Sequence, residues 1–184
     1  MRSEQELARL CTAGDREAQG ELYAQYASRL YALCYRYVAD REEAQDLMHD
    51  AMIKAMDSFR SFSYTCDGSL YAWLRRLTVN VVIDRLRQMS RLRLVPLDQT
   101  IETGNTDTDD EAADDIPAQA LMDMVAALPS VRRTVFNMYC IDGFSHKDIA
   151  AAIGITEKGS ASILAKARAQ LKSQVNDYLK RTGR

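Results

Sequence analysis

Five side chains suited to nucleic-acid binding recur at helical spacing near the middle of the chain. They are Trp73, Arg76, Asn80, Asp84 and Arg87, and a helix places them along one stripe. Unstacked bases gain about 1–3 kcal/mol each from stacking on an aromatic ring, and arginines hold phosphates. The stripe therefore predicts a face for single-stranded nucleic acid, roughly opposite an apolar face containing Leu74, Leu77 and Val81.

Aromatic side chains also lie just before this helix. In the segment Ser58–Ser69, Phe59, Phe62 and Tyr64 stand among serines. Rings beside a basic helix strengthen the prediction of a single-strand site. The alternative is that rings such as Phe62 and Trp73 are ordinary core residues.

The stretch from Phe144 to Arg168 has the pattern of a helix-turn-helix. Ser145, with Asp148 three residues later, can start a first helix. Gly154 can end that helix in the left-handed conformation, and Thr156 can cap a second helix. The apolar seam between the helices would comprise Ile149, Ala150, Ile153, Ile155, Leu164, Ala167 and Leu171. Such a unit binds duplex DNA, although two amphipathic helices can also be ordinary packing. The candidate DNA contacts are Thr156, Lys158, Ser162, Ala165, Lys166 and Arg168.

A further stripe, on the helix predicted before the segment Ser58–Ser69, is acidic. It carries Asp46, Asp50 and Asp57, with Arg41, Gln45 and Lys54 nearby and Met48, Met52 and Met56 on the opposite side. This face is too acidic for DNA. It predicts either a docking site for a protein partner or a solvated surface.

Helices must position all of these groups. Helical periodicity dominates the N-terminal half and resumes at Leu121, and no segment alternates apolar and polar residues as a strand would. We therefore predict an all-α protein of two small domains, a helical bundle at residues 1–94 and a four-helix domain with the helix-turn-helix at residues 119–184. Residues 95–118 are polar and acidic and predict a flexible linker.

The net charge of −2 over 184 residues hides a strong segregation of sign. Between Arg93 and Arg132 there are nine acidic residues and no basic one, which leaves 24 basic against 17 acidic residues elsewhere. The run from Arg75 to Arg93 and the C-terminal residues 132–184 are both basic. These two regions are the expected footprints for a phosphate backbone.

Composition also excludes several classes of protein. The sequence offers no apolar run of membrane-spanning length and no signal peptide, so we expect a cytosolic protein without membrane insertion. Its four cysteines form no CxxC motif; we interpret Cys34 and Cys140 as reduced core residues, with a metal site or disulfide as the less favoured alternative. We expect no metal, no cofactor and no catalytic residue, because neither a nucleophile–base pair nor a phosphate-binding loop is visible.

Taken in order, three segments resemble the bacterial RNA polymerase sigma factors of the extracytoplasmic-function (ECF) group. Residues 40–59 resemble the helix that binds core polymerase, residues 68–88 resemble the promoter helix, and residues 128–171 are similar to the second domain. The resemblance implies a promoter-specificity subunit without catalysis of its own. Its implied partners are core RNA polymerase, promoter DNA as duplex and as melted non-template strand, and an anti-sigma factor, all in the bacterial cytoplasm.

The resemblance also assigns roles to the stripes. The acidic face, with Arg41, Gln45, Asp46, Asp50 and Lys54, would dock on the clamp helices of the largest polymerase subunit, and a further contact would be made with the flap of the second-largest. The Trp73 stripe and the Phe62–Asp67 loop, with Tyr64, would hold the minus-ten element open. The helix-turn-helix would bind the minus-thirty-five element, and the linker would either thread polymerase channels or serve as a plain tether.

The recognition helix departs from the family pattern. Ala161 and Ile163 stand where relatives carry a lysine and another polar residue, and Lys158-Gly159 replaces a leading glycine-threonine. The outward face of Lys158, Ser162, Ala165, Lys166 and Ala169 is small, which favours readout by shape and phosphates. Two other functions stay open: a stand-alone helix-turn-helix regulator, and a helical module that binds only proteins.

Overall fold

The computed structural model describes residues 2–89 and 116–182. All regular secondary structure in these two ranges is helical, which confirms the predicted all-α class. The chain divides into two compact units, Met1–Arg85 and Leu86–Arg184. Most of the predicted acidic linker lies outside the described residues.

Four helices build the N-terminal part of the fold. They are α1 (Glu4–Thr12), α2 (Arg16–Val38), α3 (Arg41–Ser58) and α4 (Ser69–Gln88), with a 3-10 turn at Phe59–Ser61 after α3. The first three begin at side-chain caps: Ser3, Asp15 and Asp40 accept hydrogen bonds from backbone amides three residues later. Each such cap satisfies an amide that the helix itself leaves without a partner.

The core of this unit lies between α2 and α3, with α1 packed on α2. These helices bury the apolar side chains Leu7, Leu22, Tyr26, Leu30, Leu33, Tyr37, Leu47, Met48 and Met52. Only Ala39 and Asp40 separate α2 from α3, and Ala39 adopts a left-handed φ of 55° to end α2. The tight connection makes α2 and α3 antiparallel neighbours.

The inward face of α4 differs from the predicted one. Leu70 and Leu74 are fully buried, but Leu77 and Val81 are only partly buried. The interior positions are taken instead by Thr78, Val79, Val82, Ile83 and Leu86. At 3.6 residues per turn Leu77 lies only about 40° around the helix from Trp73, so it belongs to the side of the polar stripe.

The C-terminal unit has the predicted four helices. They are α5 (Ala118–Ala126), α6 (Ser130–Phe136), α7 (His146–Ile153) and α8 (Glu157–Thr182), and α6 runs on into a π-helical turn at Asn137–Ile141. Helices α5, α6 and α7 all pack on α8. The guanidinium of Arg133, 9% exposed, donates to the carbonyl oxygens of Ala126 and Leu128, so a buried charge satisfies the C-terminal end of α5.

All four cysteines are free thiols, and one prediction about them was wrong. Cys34 is fully buried as expected, but Cys140 is exposed, because the π turn carries it to the surface. Within residues 2–89 and 116–182 no group of three or more potential metal ligands comes together. None of the helices in those ranges has both the length and the apolar character needed to cross a membrane.

Candidate nucleic-acid interface

An aromatic cluster joins the end of α3 to α4. Phe59 is 1% exposed, and the partly exposed rings of Phe62 and Trp73 pack against it with centroid distances of 6.3 Å and 5.1 Å. Phe62 and Trp73 also contact each other at 5.1 Å. The cluster therefore combines the two interpretations drawn from the sequence, since Phe59 is a core ring while the other two still present ring surface to solvent.

A groove of about 570 Å³ opens beside this cluster. Its walls are Ser61, Phe62, Ser63, Thr65, Cys66, Asp67, Gly68, Ser69, Ala72 and Trp73. The loop that forms most of the wall is held by short-range hydrogen bonds: the Tyr64 hydroxyl donates to Asp67 Oδ1 at 2.7 Å, and the amide of Ser69 donates to the carbonyl of Cys66 at 3.0 Å. The bond to the Asp67 carboxylate raises the pKa of Tyr64 to about 12, so Tyr64 stays a neutral donor at physiological pH.

Helix α4 presents the polar stripe as predicted. Arg76, Asn80, Asp84 and Arg87 are all exposed, and Trp73 at the N-terminal end of the stripe is partly buried by the aromatic cluster. The stripe thus runs from an aromatic end, packed on Phe59, to an exposed polar end. It leads away from the groove along the helix axis.

Glu4 contacts the start of α4 and has no counterpart in the sequence prediction. Its carboxylate accepts a hydrogen bond from the Gly68 amide at 2.6 Å, and a second from the Leu70 amide. The partners lie 64 and 66 residues away along the chain. Local pattern therefore gives no signal for this contact, because Glu4 reads simply as an acidic first-turn residue of α1.

The helix-turn-helix has the predicted local geometry. Ser145 and Asp148 form a reciprocal capping box at the start of α7, and Gly154 ends that helix with a left-handed φ of 73°. The Thr156 hydroxyl accepts a hydrogen bond from the Gly159 amide at 2.9 Å, which caps α8. Thr156 therefore has a structural role in the turn besides its predicted place in the DNA interface.

The predicted recognition face of α8 is accessible. Lys158, Ala165 and Arg168 are exposed, and Ser162 and Lys166 are partly exposed. Arg168 lies at the edge of this face, since its guanidinium sits 5.9 Å from the Tyr139 ring and its Nη2 donates to Cys140 Sγ at 3.7 Å.

A histidine of α7 buttresses the first turn of α8. The His146 ring stacks on the Tyr139 ring at 4.4 Å, and its Nδ1 hydrogen-bonds with the buried Ser160 hydroxyl at 2.9 Å. These contacts link the π turn, α7 and α8. They fix the angle at which the recognition helix leaves the turn.

The acidic stripe lies on the exposed face of α3. Asp46, Asp50 and Asp57 are exposed, as are Arg41, Gln45 and Lys54, while Met48 and Met52 are buried and Met56 is partly exposed. Sequence reasoning missed Ile53, which lies among these carboxylates and is 61% exposed. An apolar side chain ringed by charges is typical of the centre of a protein–protein contact.

Beside that stripe, α2 and α3 form a shallow groove of about 370 Å³. Ala27, Ser28 and Tyr31 of α2 face Arg41, Glu42, Gln45 and Met48 of α3 across it. Two of the predicted docking residues, Arg41 and Gln45, are therefore part of a concave surface as well as a stripe.

Two family models match the chain. Sigma-70 region 2 matches residues 22–92, and sigma-70 region 4 matches residues 118–171. The ECF RNA polymerase sigma factor SigM of Mycobacterium tuberculosis is 31% identical over 170 residues, covering 92% of this chain and 83% of that protein. The chain belongs to the ECF sigma factors of the sigma-70 family. As a sigma factor it is the promoter-specificity subunit of RNA polymerase. Sigma factors as a class are non-catalytic regulatory subunits.

Other relatives of this sigma factor cover similar lengths. RNA polymerase sigma-H factor of Pseudomonas aeruginosa is 29% identical, with 82% of each chain covered, and ECF sigma factor SigW of Bacillus subtilis is 26% identical, with 89% of this chain and 92% of SigW covered. The similarity therefore extends across both matched regions and is not confined to the helix-turn-helix.

Solved structures share the fold of this sigma factor. CnrH, solved in complex with the cytosolic domain of CnrY, has a TM-score of 0.51 at 21% identity and covers 96% of this chain and 99% of its own. RpoE from Bartonella quintana, solved with the anti-sigma factor NepR, has a TM-score of 0.52 at 19% identity, with 85% of this chain and 96% of RpoE covered. At these identities the likeness establishes the fold alone.

Proposed function

We propose that the N-terminal unit holds the melted minus-ten promoter element on the surface formed by the aromatic cluster, the Phe62–Asp67 loop and the exposed stripe of α4. The observation that carries this proposal is the pair of partly exposed rings, Phe62 and Trp73, fixed on the buried Phe59 beside a groove. Rings held in place by a core residue lose little entropy when a base stacks on them.

Separate side chains on this surface would take separate parts of the strand. Arg76 and Arg87 are suited to phosphates, and Asn80 between them can bond a base edge. Trp73 would stack on, or wedge beside, the first unpaired base, since its ring is the apolar end of the stripe. Asp84 and the Tyr64–Asp67 pair supply acceptors for base amino groups.

We propose that the helix-turn-helix binds the minus-thirty-five element through Thr156, Lys158, Ser162, Ala165, Lys166 and Arg168. Small side chains at the centre of the face let the helix approach the groove closely, and the basic side chains hold phosphates. Recognition would then depend on DNA shape and backbone contacts more than on bidentate base pairs. Affinity for the element should fall steeply with salt.

We propose that the exposed face of α3 docks on the clamp helices of the largest polymerase subunit. Its support is the combination of exposed Asp46 and Asp50 with the central apolar Ile53, next to the groove at Arg41 and Gln45. Lys54 completes the charged rim. The flap of the second-largest subunit would contact apolar side chains that the C-terminal unit leaves exposed, namely Met122, Tyr139 and Ile141.

We place the functional boundaries at residues 1–94, 95–118 and 119–184, with the acidic linker passing through polymerase channels. A protein that acts on core polymerase and promoter DNA works in the bacterial cytoplasm. An anti-sigma factor is the expected negative regulator.

Transcription in vitro with core polymerase tests the central assignment. Trp73→Ala combined with Asn80→Ala should abolish open-complex formation but leave binding to core polymerase unchanged. Open complexes are measured by the permanganate reactivity of unpaired thymines. Asp50→Arg should weaken binding to core polymerase. Gln25→Ala, an exposed change on α2, is the control. Normal melting by the double variant would refute the assignment of α4, and specific duplex binding by the free protein would favour a stand-alone regulator.

A further inference from the structure

We infer that Glu4 is a positioning residue for promoter recognition: its carboxylate, carried by α1, fixes the start of α4 and with it the groove beside Trp73. The inference rests on the proposed role of that groove in holding the minus-ten strand. It concerns a residue far from the promoter helix in sequence and outside the region 2 match, which begins at residue 22.

Helix α4 begins without a side-chain cap of its own. Its first turn is closed by the Gly68 carbonyl, which accepts from the Ala72 amide at 3.0 Å, and Gly68 has a left-handed φ of 91°. Glycine has no side chain to satisfy the leading amides of the helix. The carboxylate of Glu4 fills that role, accepting from the amides of Gly68 and Leu70. A negative charge is also favourable at this end of the helix dipole.

Glu4 itself is held on a firmly anchored element. The backbone amide and Nη1 of Arg2 both donate to the Glu21 carboxylate of α2, at 2.9 Å and 2.8 Å, and Arg2 Nη2 donates to Glu17 at 3.0 Å. Leu7 and Cys11 of α1 are buried. These contacts tie α1 to α2, so the hydrogen bonds of Glu4 tie α4 to the body of the unit.

The start of α4 is also where the groove is shaped. Gly68, Ser69 and Trp73 line it, and the amide of Thr65 donates to Ser69 Oγ across the loop at 3.4 Å. The loop's other hydrogen bonds, between Tyr64 and Asp67 and between Ser69 and Cys66, are all local. Local bonds fix the shape of the loop but not its place against α1 and α2. Burial of Leu70 and stacking of Tyr71 on Tyr26 of α2 also hold the start of α4. Glu4 adds hydrogen bonds that fix the leading amides against α1, and without them we expect the loop and the first turn of α4 to shift more readily.

We expect the effect in promoter melting and not in polymerase binding, because both hydrogen bonds of the Glu4 carboxylate go to the start of α4, whereas the proposed docking face lies on α3. Loss of an N-terminal helix cap changes the local equilibrium by about twofold to thirtyfold. For Glu4→Ala we therefore expect open-complex formation on a duplex promoter to be slower by a factor in that range. Alkylation of the exposed Cys66, which lines the groove, should become faster. The dissociation constant for core polymerase should stay within about twofold of the wild-type value.

Two further variants in the full-length protein make the experiment decisive. Glu4→Gln keeps an oxygen acceptor but loses the charge, so it should fall between wild type and Glu4→Ala. Glu6→Ala changes an exposed carboxylate of the same helix turn and should match wild type in all three measurements. On a promoter whose minus-ten element is already unpaired, the rate of open-complex formation by Glu4→Ala should be closer to the wild-type rate but still lower. The unpaired strand must still enter a displaced groove.

The outcomes separate this inference from the function on which it rests. Wild-type melting and unchanged Cys66 alkylation in Glu4→Ala, with melting lost in the Trp73 and Asn80 double variant, overturn the role of Glu4 alone. Wild-type melting in the double variant overturns the proposed function. If Glu4→Ala lowers the affinity for core polymerase by the same factor as it lowers the rate of open-complex formation, the inference is also overturned. Such a result would show general unfolding of the unit.

Discussion

Ile53 offers the most direct test of the docking face on α3. Its side chain is 61% exposed among carboxylates, so the fold gains little from it, yet a partner covering the face would bury it. Ile53→Ala removes three carbon groups, and at about 0.8 kcal/mol per buried methylene their complete burial is worth about 2.4 kcal/mol. The exposed 61% corresponds to about 1.5 kcal/mol available for binding, and about 0.9 kcal/mol is already gained in the free protein.

These magnitudes predict two results of different size. The dissociation constant for core polymerase should rise by about tenfold, measured by competition of the variant against a fluorescently labelled wild-type sigma factor. The free energy of unfolding should fall by less than about 1 kcal/mol. The neighbouring Met52→Ala gives the contrast, because that side chain is 2% exposed and its truncation should cost about 2–5 kcal/mol of stability.

A wild-type dissociation constant for Ile53→Ala would refute the reasoning, since it would mean that polymerase leaves the side chain in water. Gln25→Ala, on an exposed part of α2, controls for nonspecific effects on the assay. If Gln25→Ala weakened binding as much as Ile53→Ala, the docking surface would have to include that part of α2 and would not be centred on α3.

Three further predictions concern cysteine reactivity, the pH dependence of stability and helix capping. Burial raises the pKa of Cys11 to about 11 and of Cys34 to about 12. Because the thiolate is the nucleophile, maleimide at neutral pH should modify the exposed Cys66 and Cys140 quickly, and Cys11 and Cys34 only on unfolding. Rapid modification of all four cysteines in the folded protein would contradict this. Both pKa values are raised on folding, so above the ordinary thiol pKa these cysteines ionise in the unfolded protein before they ionise in the folded one. The free energy of unfolding, measured by denaturant titration, should therefore be unaffected by these thiols below about pH 9 and should fall as the pH rises above it. Ser145→Ala breaks the capping box of α7 and should lower the stability of the C-terminal unit by about 1 kcal/mol, measured by thermal unfolding, while a serine-to-alanine change elsewhere on an exposed helix face should not.

Local chemistry explains which structural predictions from sequence succeeded. The helix-turn-helix could be predicted residue by residue, because Ser145, Gly154 and Thr156 act on backbone groups at most three or four positions away. The all-α class and the four helices of the C-terminal domain follow in the same way from periodicity. The aromatic cluster could be predicted as a group of residues, although the division between the buried Phe59 and the partly exposed Trp73 depends on tertiary packing.

Tertiary context explains what the sequence could not supply. The inward face of α4 was misassigned at Leu77, because apolar residues occur on both sides of that helix and periodicity alone cannot choose between them. Cys140 was misassigned because a π turn shifts the register at which side chains point inward. Glu4 and Ile53 were missed for a different reason: one acts across 64 residues of chain and the other matters through its exposure.

The aromatic cluster has a consequence for how promoter melting is dissected. Trp73 packs on Phe59 and Phe62, so its removal subtracts core contacts together with any stacking on a base. Asn80 is exposed one stripe position beyond Arg76 and carries no such packing, so its removal should report DNA contact alone. If the rings fix the groove while the polar stripe reads the strand, Asn80→Ala should change base preference without changing Cys66 reactivity. Trp73→Ala should change both base preference and Cys66 reactivity. A Trp73 variant that altered base preference alone would show that the ring contacts DNA but does not shape the groove.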